Sequence, residues 1–188
     1  RYIGSYAFSG CSALTLISFP NCSYISGDAF YNCFALTSIN LSNCSYIGGD
    51  AFYNCSALTS INLPNCSYIG GHAFQSCCAL TSINLPNCSY ISYYAFYNCF
   101  ALTSINLPNC SYIGSYAFYS CWNLLSLYLL GSSIPTLNNI NAFASTPIST
   151  YTTSTGGVYG SIYVPASLYN DYIAATNWSI YSARIVSV

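Results

Sequence analysis

The feature of this sequence that most constrains its fold is a repeat with a period of 22 residues. Phenylalanine, cysteine, leucine and isoleucine each recur at this spacing through most of the chain. The phenylalanine column consists of Phe8, Phe30, Phe52, Phe74, Phe96 and Phe118. Self-similarity at a fixed period of roughly 20 to 50 residues is typical of stacked arrays. The chain is therefore predicted to fold as a repeat solenoid, in which each unit covers the open apolar face of its neighbour.

One repeat unit contains the pattern of a short strand followed by a turn. Leu36, Ile39 and Leu41 are apolar, and the polar Asn40 between the last two gives the alternation of a half-buried strand. The segment 50–55, Asp-Ala-Phe-Tyr-Asn-Cys, is interpreted as a single helical or 3₁₀ turn. Each unit is thus predicted to run through a strand, a turn, a short helical segment and a return.

Charged residues are almost absent, and their scarcity excludes several classes of function. The 188 residues include 2 Lys+Arg, 3 Asp+Glu and 1 His. Two basic residues give no electrostatic basis for binding nucleic acid or anionic lipid, and so few titratable groups leave little for acid/base catalysis. Polar residues interrupt the apolar ones, so no stretch reaches the roughly 18 apolar residues of a membrane span. We predict a non-catalytic protein with no cofactor, no nucleic-acid partner and no membrane span.

The repeat divides the chain into two parts. Residues 1–130 are predicted to form the repeat array, with about six units of which the first is truncated. Residues 131–188 are predicted to form a degenerate repeat and a C-terminal cap with one short helix, which Pro165 suits as a first residue. Because no initiator Met or N-terminal cap precedes the first unit, we expect a fragment or processed chain whose uncapped end permits self-association.

The repeat resembles a known family. The run 36–47, L-x-x-I-x-L-x-x-C-x-x-I, has the spacing of the leucine-rich repeat, with Cys44 where many members carry Asn. The segment 51–58 is similar to the BspA-like subtype of bacterial surface proteins. The pattern extends from residue 2 to about 129, and the tail 162–178 resembles the closing segment of such arrays.

This resemblance implies an α/β-type leucine-rich repeat solenoid. Its expected form is a right-handed curved array of 22-residue units, with short parallel strands on the concave face and short helical or 3₁₀ turns on the convex face. The resemblance also implies an extracellular or cell-surface location in bacteria. It further implies binding to host or cell-surface proteins or glycans.

Two cysteine columns and Cys78 account for all 12 cysteines. A column of stacked thiols has no natural disulfide pairing, because each thiol has two equivalent neighbours. Zinc is not expected, since there is no C-x-x-C motif and only one His. We interpret the two columns as buried free thiols that act as small apolar groups, and we expect Cys78 to face solvent.

The column of Asp28, Asp50 and His72 precedes the Ala-Phe pair of three successive units. The favoured interpretation is that each residue caps the short helical turn. Stacked carboxylates also suit a cation or a shared proton, and this alternative stays open.

The strand face is the first candidate ligand-binding surface. Its serine and asparagine residues form a neutral lattice that suits sugars or peptide backbones, or that merely solvates a strand face; both interpretations stay open. The residues are Ser38, Asn40, Ser60, Asn62, Ser82, Asn84, Ser104 and Asn106.

An aromatic group is the second candidate surface. Tyr97, Phe100, Tyr119 and Trp122 lie three residues apart in pairs, which on a helical turn places them on one face. They are predicted to form an exposed patch that anchors a protein or stacks on sugar rings. Shielding of the convex side or packing against the C-terminal cap is the alternative.

These observations predict a non-catalytic binding or adhesion module. The alternative function is structural: a spacer, or a subunit that assembles end to end into a filament, since a near-neutral net charge favours association.

Overall fold

Each 22-residue unit folds into one turn of a parallel β-solenoid. The computed structural model describes residues 1–149 and 159–188, and the chain makes about eight turns with ~22-residue repeats and few helices. Most turns contribute one strand of three residues and one strand of two. The predicted repeat solenoid with short parallel strands is confirmed.

Strands of three residues, and one of four, form one side of the solenoid. Their bounds are β2 (Leu16–Ser18), β4 (Ser38–Asn40), β6 (Ser60–Asn62), β8 (Ser82–Asn84), β10 (Ser104–Asn106) and β12 (Ser126–Tyr128), followed by the four-residue β14 (Ser161–Val164) and by β15 (Ile185–Ser187). They make two sheets of order β2-β4-β6-β8 and β10-β12-β14-β15, and β8 lies beside β10.

The register of these strands places equivalent residues side by side. Ile61 pairs with Ile83, and the flanking Ser60 and Asn62 pair with the serine and asparagine of β8. In β4, β6, β8 and β10 the central isoleucine is buried, whereas the serine and asparagine on either side are exposed. This confirms the half-buried strand predicted from the alternation.

A third sheet, made of two-residue strands, was not predicted. Its strands are β1 (Tyr2–Ile3), β3 (Tyr24–Ile25), β5 (Tyr46–Ile47), β7 (Tyr68–Ile69), β9 (Tyr90–Ile91), β11 (Tyr112–Ile113) and β13 (Thr136–Leu137). All seven are parallel and follow one another in this order across the sheet. From β3 to β11 the tyrosine rings stack at centroid distances of 4.3 to 5.0 Å, and the isoleucines point inward.

The segment predicted as a helical turn is instead a pair of tight turns. The N–H groups of Tyr53 and Cys55 donate to carbonyls three residues earlier. The N–H groups of Phe52 and Asn54, however, donate to carbonyls of the next unit, at 2.8 Å in each case. A helix cannot form, because every second N–H group is used to bind the adjacent turn of the solenoid.

Phenylalanine rings form the centre of the core. Their centroids lie 5.0 to 5.4 Å apart and their planes are within 6° of parallel. The stack runs from Phe8 through the repeats to Phe143, and the Phe118 N–H donates to the Ala142 carbonyl. A degenerate unit therefore continues the array beyond residue 130.

The cysteine columns are buried, as predicted, except for Cys11 in the first unit, and all twelve cysteines are free. In one column the Cys77 thiol donates to the Phe52 carbonyl at 3.1 Å, and its equivalents repeat this contact. In the other, Cys66 donates to the Tyr68 carbonyl at 3.3 Å. Burial raises the pKa of Cys66 to about 12. The Cys66 thiol therefore stays protonated at neutral pH and serves as a hydrogen-bond donor to a backbone carbonyl.

The C-terminal segment closes the end of the array. After β14 follow a 3₁₀ helix (Ala166–Leu168), helix α1 (Tyr169–Ala174) and a second 3₁₀ helix (Ser179–Arg184). Trp178 is buried against Phe143 and donates through Nε1 to the Pro135 carbonyl at 2.7 Å. The short helix after Pro165 was predicted; the final strand β15 was not. Residues 150–158, within the predicted segment 131–188, lie outside the described residues.

Glycine allows the closest approach between successive turns. A Cβ atom on Gly70 would lie 2.6 Å from backbone atoms of Gly48 and Gly49, whereas one on Gly49 would lie 3.4 Å from the Gly71 carbonyl oxygen. We expect Gly70→Ala to lower the free energy of unfolding by about 1–3 kcal/mol, as overpacking does. Urea denaturation of both variants checks this, with Gly49→Ala as the control close to the unsubstituted chain. Equal midpoints would contradict the close packing.

Thiol burial gives a second prediction. Ten of the twelve cysteines are buried, and Cys11 and Cys78 are partly exposed. An aromatic disulfide reagent is expected to label at most two thiols in the folded protein and all twelve after unfolding. Cys78→Ser should lower the native count by one. Rapid native labelling of more than two thiols would show that the columns are accessible.

Candidate binding surfaces

Four neighbouring strands each expose one serine and one asparagine, which form a serine row and an asparagine row; we call the two rows the Ser/Asn face. It comprises Ser38, Asn40, Ser60, Asn62, Ser82, Asn84, Ser104 and Asn106. All eight residues are exposed, as the sequence analysis placed them. Asn84 Nδ2 donates to Asn62 Oδ1 at 2.8 Å, so the amides bind one another along the array. Each amide has two donors and two acceptor lone pairs. One such bond leaves further donors and acceptors directed to solvent.

A threonine row that the sequence analysis did not single out borders this face. Thr37 and Thr81 donate through Oγ1 to the carbonyl of the threonine 22 residues earlier, at 2.9 and 3.1 Å. These threonines are exposed, but their hydroxyls donate hydrogen bonds to the preceding unit of the array. The row therefore holds the face rigid. Its signal in the sequence is the same 22-residue period.

The C-terminal end of this side is aromatic. Tyr128 and Tyr163 replace asparagine in the register of β12 and β14, and their rings stack at 4.7 Å. Both are half-buried. The uncharged polar rows thus end at a tyrosine pair, which the sequence analysis missed because residue 163 lies outside the regular 22-residue spacing.

The Phe100–Trp122 pair lies in the turns that precede β10 and β12, close in sequence to the Ser/Asn face. The two rings stack at 4.3 Å, and Trp122 remains 60% exposed. Both residues sit in turns that lead within four residues into β10 and β12. Because Phe100 covers one side of the indole, the other side is available to a ligand.

The structure separates Tyr97 and Tyr119 from Phe100 and Trp122. Tyr97 stacks on Tyr119 at 5.4 Å and contacts Tyr94 edge-on at 5.5 Å. Within residues 1–149 and 159–188, no ring contact joins the two pairs. The expectation of one patch assumed a helical turn, and the segment is not helical. The four rings therefore belong to two different surfaces.

A line of residues in the left-handed backbone conformation runs along the turns; we call it the turn column. It consists of Tyr6, Asp28, Asp50, His72, Tyr94 and Tyr116, with φ between 53° and 59°. The predicted capping role of Asp28, Asp50 and His72 is wrong, because no helix begins at these positions. Asp and Asn tolerate this conformation better than most residues.

The environment of Asp50 perturbs its carboxyl group. Burial raises the pKa of Asp50 above the ordinary value; His72 partly opposes the shift and the Asp28 carboxylate adds to it.

No group of three or more His, Cys, Asp or Glu is placed to hold a metal ion among the residues that the structure describes. No described helix is long and apolar enough to cross a membrane.

An open groove of about 410 Å³ lies between the last turn and the cap. It is lined by residues 134–138 and 175–178. The polar groups there are used internally, since Asn177 Nδ2 donates to the Leu137 carbonyl and the Trp178 indole to that of Pro135, both at 2.7 Å. None of the residues that line the groove is Asp, Glu, His, Lys, Arg or Cys.

A parallel solenoid with a 22-residue repeat and an exposed polar strand face defines the class of leucine-rich repeat proteins. The profile of the BspA type leucine rich repeat region matches six copies here, over residues 1–99 and 46–159. The chain belongs to this family. None of the curated proteins compared with it is similar.

Solved structures of bacterial repeat proteins share the fold. A leucine-rich repeat protein from Bacteroides ovatus has a TM-score of 0.72 at 22% identity, covering 100% of this chain and 45% of that one. The T. pallidum leucine rich repeat protein has a TM-score of 0.68 at 29% identity, covering 72% and 66%. A leucine rich cell surface protein from Faecalibacterium prausnitzii has 0.63 at 30%, covering 70% and 36%. The chain thus spans less than half of the first of these proteins.

Asp50 gives a prediction of pH dependence. Its raised folded-state pKa means that the folded state binds this proton more tightly than the unfolded state. The resulting stabilisation is present at low pH and is lost as the pH rises through the folded pKa. Asp50→Asn should therefore raise Tm at neutral pH and leave it nearly unchanged at about pH 3, below the ordinary carboxyl pKa.

Thermal melts at the two pH values check this prediction. Asp171→Asn, which removes the same charge from an exposed helix position, is the control. A lower Tm for Asp50→Asn at neutral pH would show that the carboxylate stabilises the fold.

Proposed function

We propose that this chain is a non-catalytic binding module of a bacterial surface protein, and that it recognises a protein or glycan through the Ser/Asn face and the Phe100–Trp122 pair. The observation that carries the proposal is the open side of the Trp122 indole, in a ring pair close in sequence to two uncharged polar rows. Tryptophan is one of the residue types enriched at binding hot spots, together with tyrosine and arginine.

The chemistry of the face favours an uncharged ligand with many hydroxyl or amide groups. Serine hydroxyls and asparagine amides both donate and accept hydrogen bonds. Successive residues within each row lie about 4.8 Å apart, the spacing of adjacent parallel strands, so a long ligand meets the same groups repeatedly. Such repeated weak contacts support binding to a glycan chain or an extended peptide.

The comparisons support a surface location. The chain belongs to the BspA type, and the F. prausnitzii protein with the same fold is described as a cell surface protein. We place this chain outside the cell on these grounds.

Self-association is a second candidate function, and one observation favours it. The chain has a formal net charge of −1 at pH 7, and a net charge close to zero promotes association between copies. End-to-end assembly would make the array a spacer or filament subunit.

Trp122→Ser tests the proposed site. Serine occupies the equivalent position at Ser56, so the fold tolerates it. We expect the affinity for a ligand found among immobilised matrix proteins and glycans to fall about tenfold or more, the loss typical of a hot-spot residue. Surface plasmon resonance of the whole chain measures it.

Phe34→Ser is the matched control, because Phe34 is an exposed aromatic residue in the same column without a stacked partner. It should leave the affinity within about twofold, which corresponds to about 0.4 kcal/mol. Equal losses in both variants, or none in Trp122→Ser, would remove the indole from the site. A folded monomer that binds none of the immobilised matrix proteins and glycans would contradict the binding function. A sedimentation coefficient that rises with protein concentration would favour self-assembly.

A further inference from the structure

The turn column is not used by the proposed function, and it combines aromatic rings with carboxylates. His72 stacks on Tyr94 at 5.0 Å, and Tyr94 stacks on Tyr116 at 4.9 Å. Asp50 and Asp28 occupy the next two positions of the same column. The result is a continuous line of two carboxylates and three rings on the turn side of the array.

Tyr93 widens this line into a surface. It replaces the glycine found at Gly27, Gly49 and Gly71 of earlier units, and it is 53% exposed. Its ring lies directly over Gly71, where a Cβ atom would come within 2.6 Å of it, and it meets His72 edge-on at 5.1 Å. Tyr93 thus adds an exposed ring beside His72.

No Lys or Arg of the repeat units pairs with these carboxylates; within the column, Tyr6 hydrogen-bonds to Asp28 and His72 acts electrostatically on Asp50. The two basic residues of the chain are Arg1, at the first position, and Arg184, in the cap. Arg184 lies over the Tyr159 ring at 3.9 Å. The repeat units between residues 2 and 130 contain no Lys or Arg, while Asp28 and Asp50 are their two acidic residues. The negative charge of the array is therefore concentrated on the turn column.

The backbone does not require a carboxylate at these positions. Other left-handed turn positions are filled by Asn32, Asn54 and Asn98. Asparagine would serve the backbone equally at residue 50, and it would avoid placing a partly buried charge near Asp28. Charge retained where a neutral residue serves the fold equally well favours a role in binding.

We propose that the turn column and Tyr93 bind a cationic peptide segment of a partner protein, with arginine or lysine as the recognised side chains. Carboxylates bind guanidinium groups with charge-assisted hydrogen bonds, and tyrosine faces attract the same cations. From Asp28 to Tyr116 the column spans about 19 Å, the length of roughly six residues of extended peptide. This site is separate from the Ser/Asn face and does not depend on the function proposed for it.

Fluorescence anisotropy with a labelled hexaarginine peptide and the whole 188-residue chain tests the proposal. The double variant Asp28→Asn/Asp50→Asn keeps the residue size and the tolerance for the left-handed conformation. We expect it to weaken binding about tenfold or more, and we expect Tyr93→Ser, which copies Ser115, to weaken it about threefold.

Asp171→Asn is the matched control, because it removes one negative charge from the cap. It should change the affinity less than about twofold, and a labelled hexaserine peptide should not bind. The proposal fails if the unsubstituted chain does not bind hexaarginine, if the double variant binds as tightly, or if Asp171→Asn weakens binding as much as the double variant. Thermal melts establish that each variant is folded. Trp122→Ser should leave hexaarginine binding unchanged. The test of the turn column and the test of the Ser/Asn face can therefore fail independently of each other.

Discussion

The hydrogen bonds between successive turns of the solenoid are the constraint on which the rest of the structure depends. Because each turn bonds to the one 22 residues later in strict register, every side chain lies beside its own equivalent. Identical neighbours suit phenylalanine, tyrosine and asparagine, whose rings or amides stack on copies of themselves. They do not suit charge: two like charges about 4.8 Å apart repel by about 3 kcal/mol near a protein surface. The near absence of Lys, Arg, Asp and Glu is thus a consequence of the fold.

The sequence predicts the parts of the fold that depend on burial. The 22-residue period and the alternation around Ile39 identify the solenoid and the three-residue strands, because burial imposes a period on apolar residues. The strand Tyr46–Ile47 was missed, since two residues are too short to show an alternation. The sequence predicts a helical turn at 50–55, because nothing in the residue types reveals that alternate N–H groups bind the next unit.

The same distinction applies to the candidate surfaces. The exposure of Ser60 and Asn62 follows from the alternation and was predicted. The predicted grouping of Tyr97 with Phe100 depended on a helical turn. In the structure Tyr97 stacks on Tyr119, whereas Phe100 stacks on Trp122. The thiol hydrogen bonds could not be predicted either, because they connect Cys77 with a carbonyl 25 residues earlier.

Register also makes the length of the array adjustable. Since each turn contacts its two neighbours through the same groups, removal or insertion of one 22-residue unit leaves the packing of the remaining turns and of the cap intact. Such a change shortens or lengthens every surface column by one position. Evolution by unit duplication can therefore set the number of contacts offered to a long ligand, and with it the overall avidity, without altering the chemistry of any single contact.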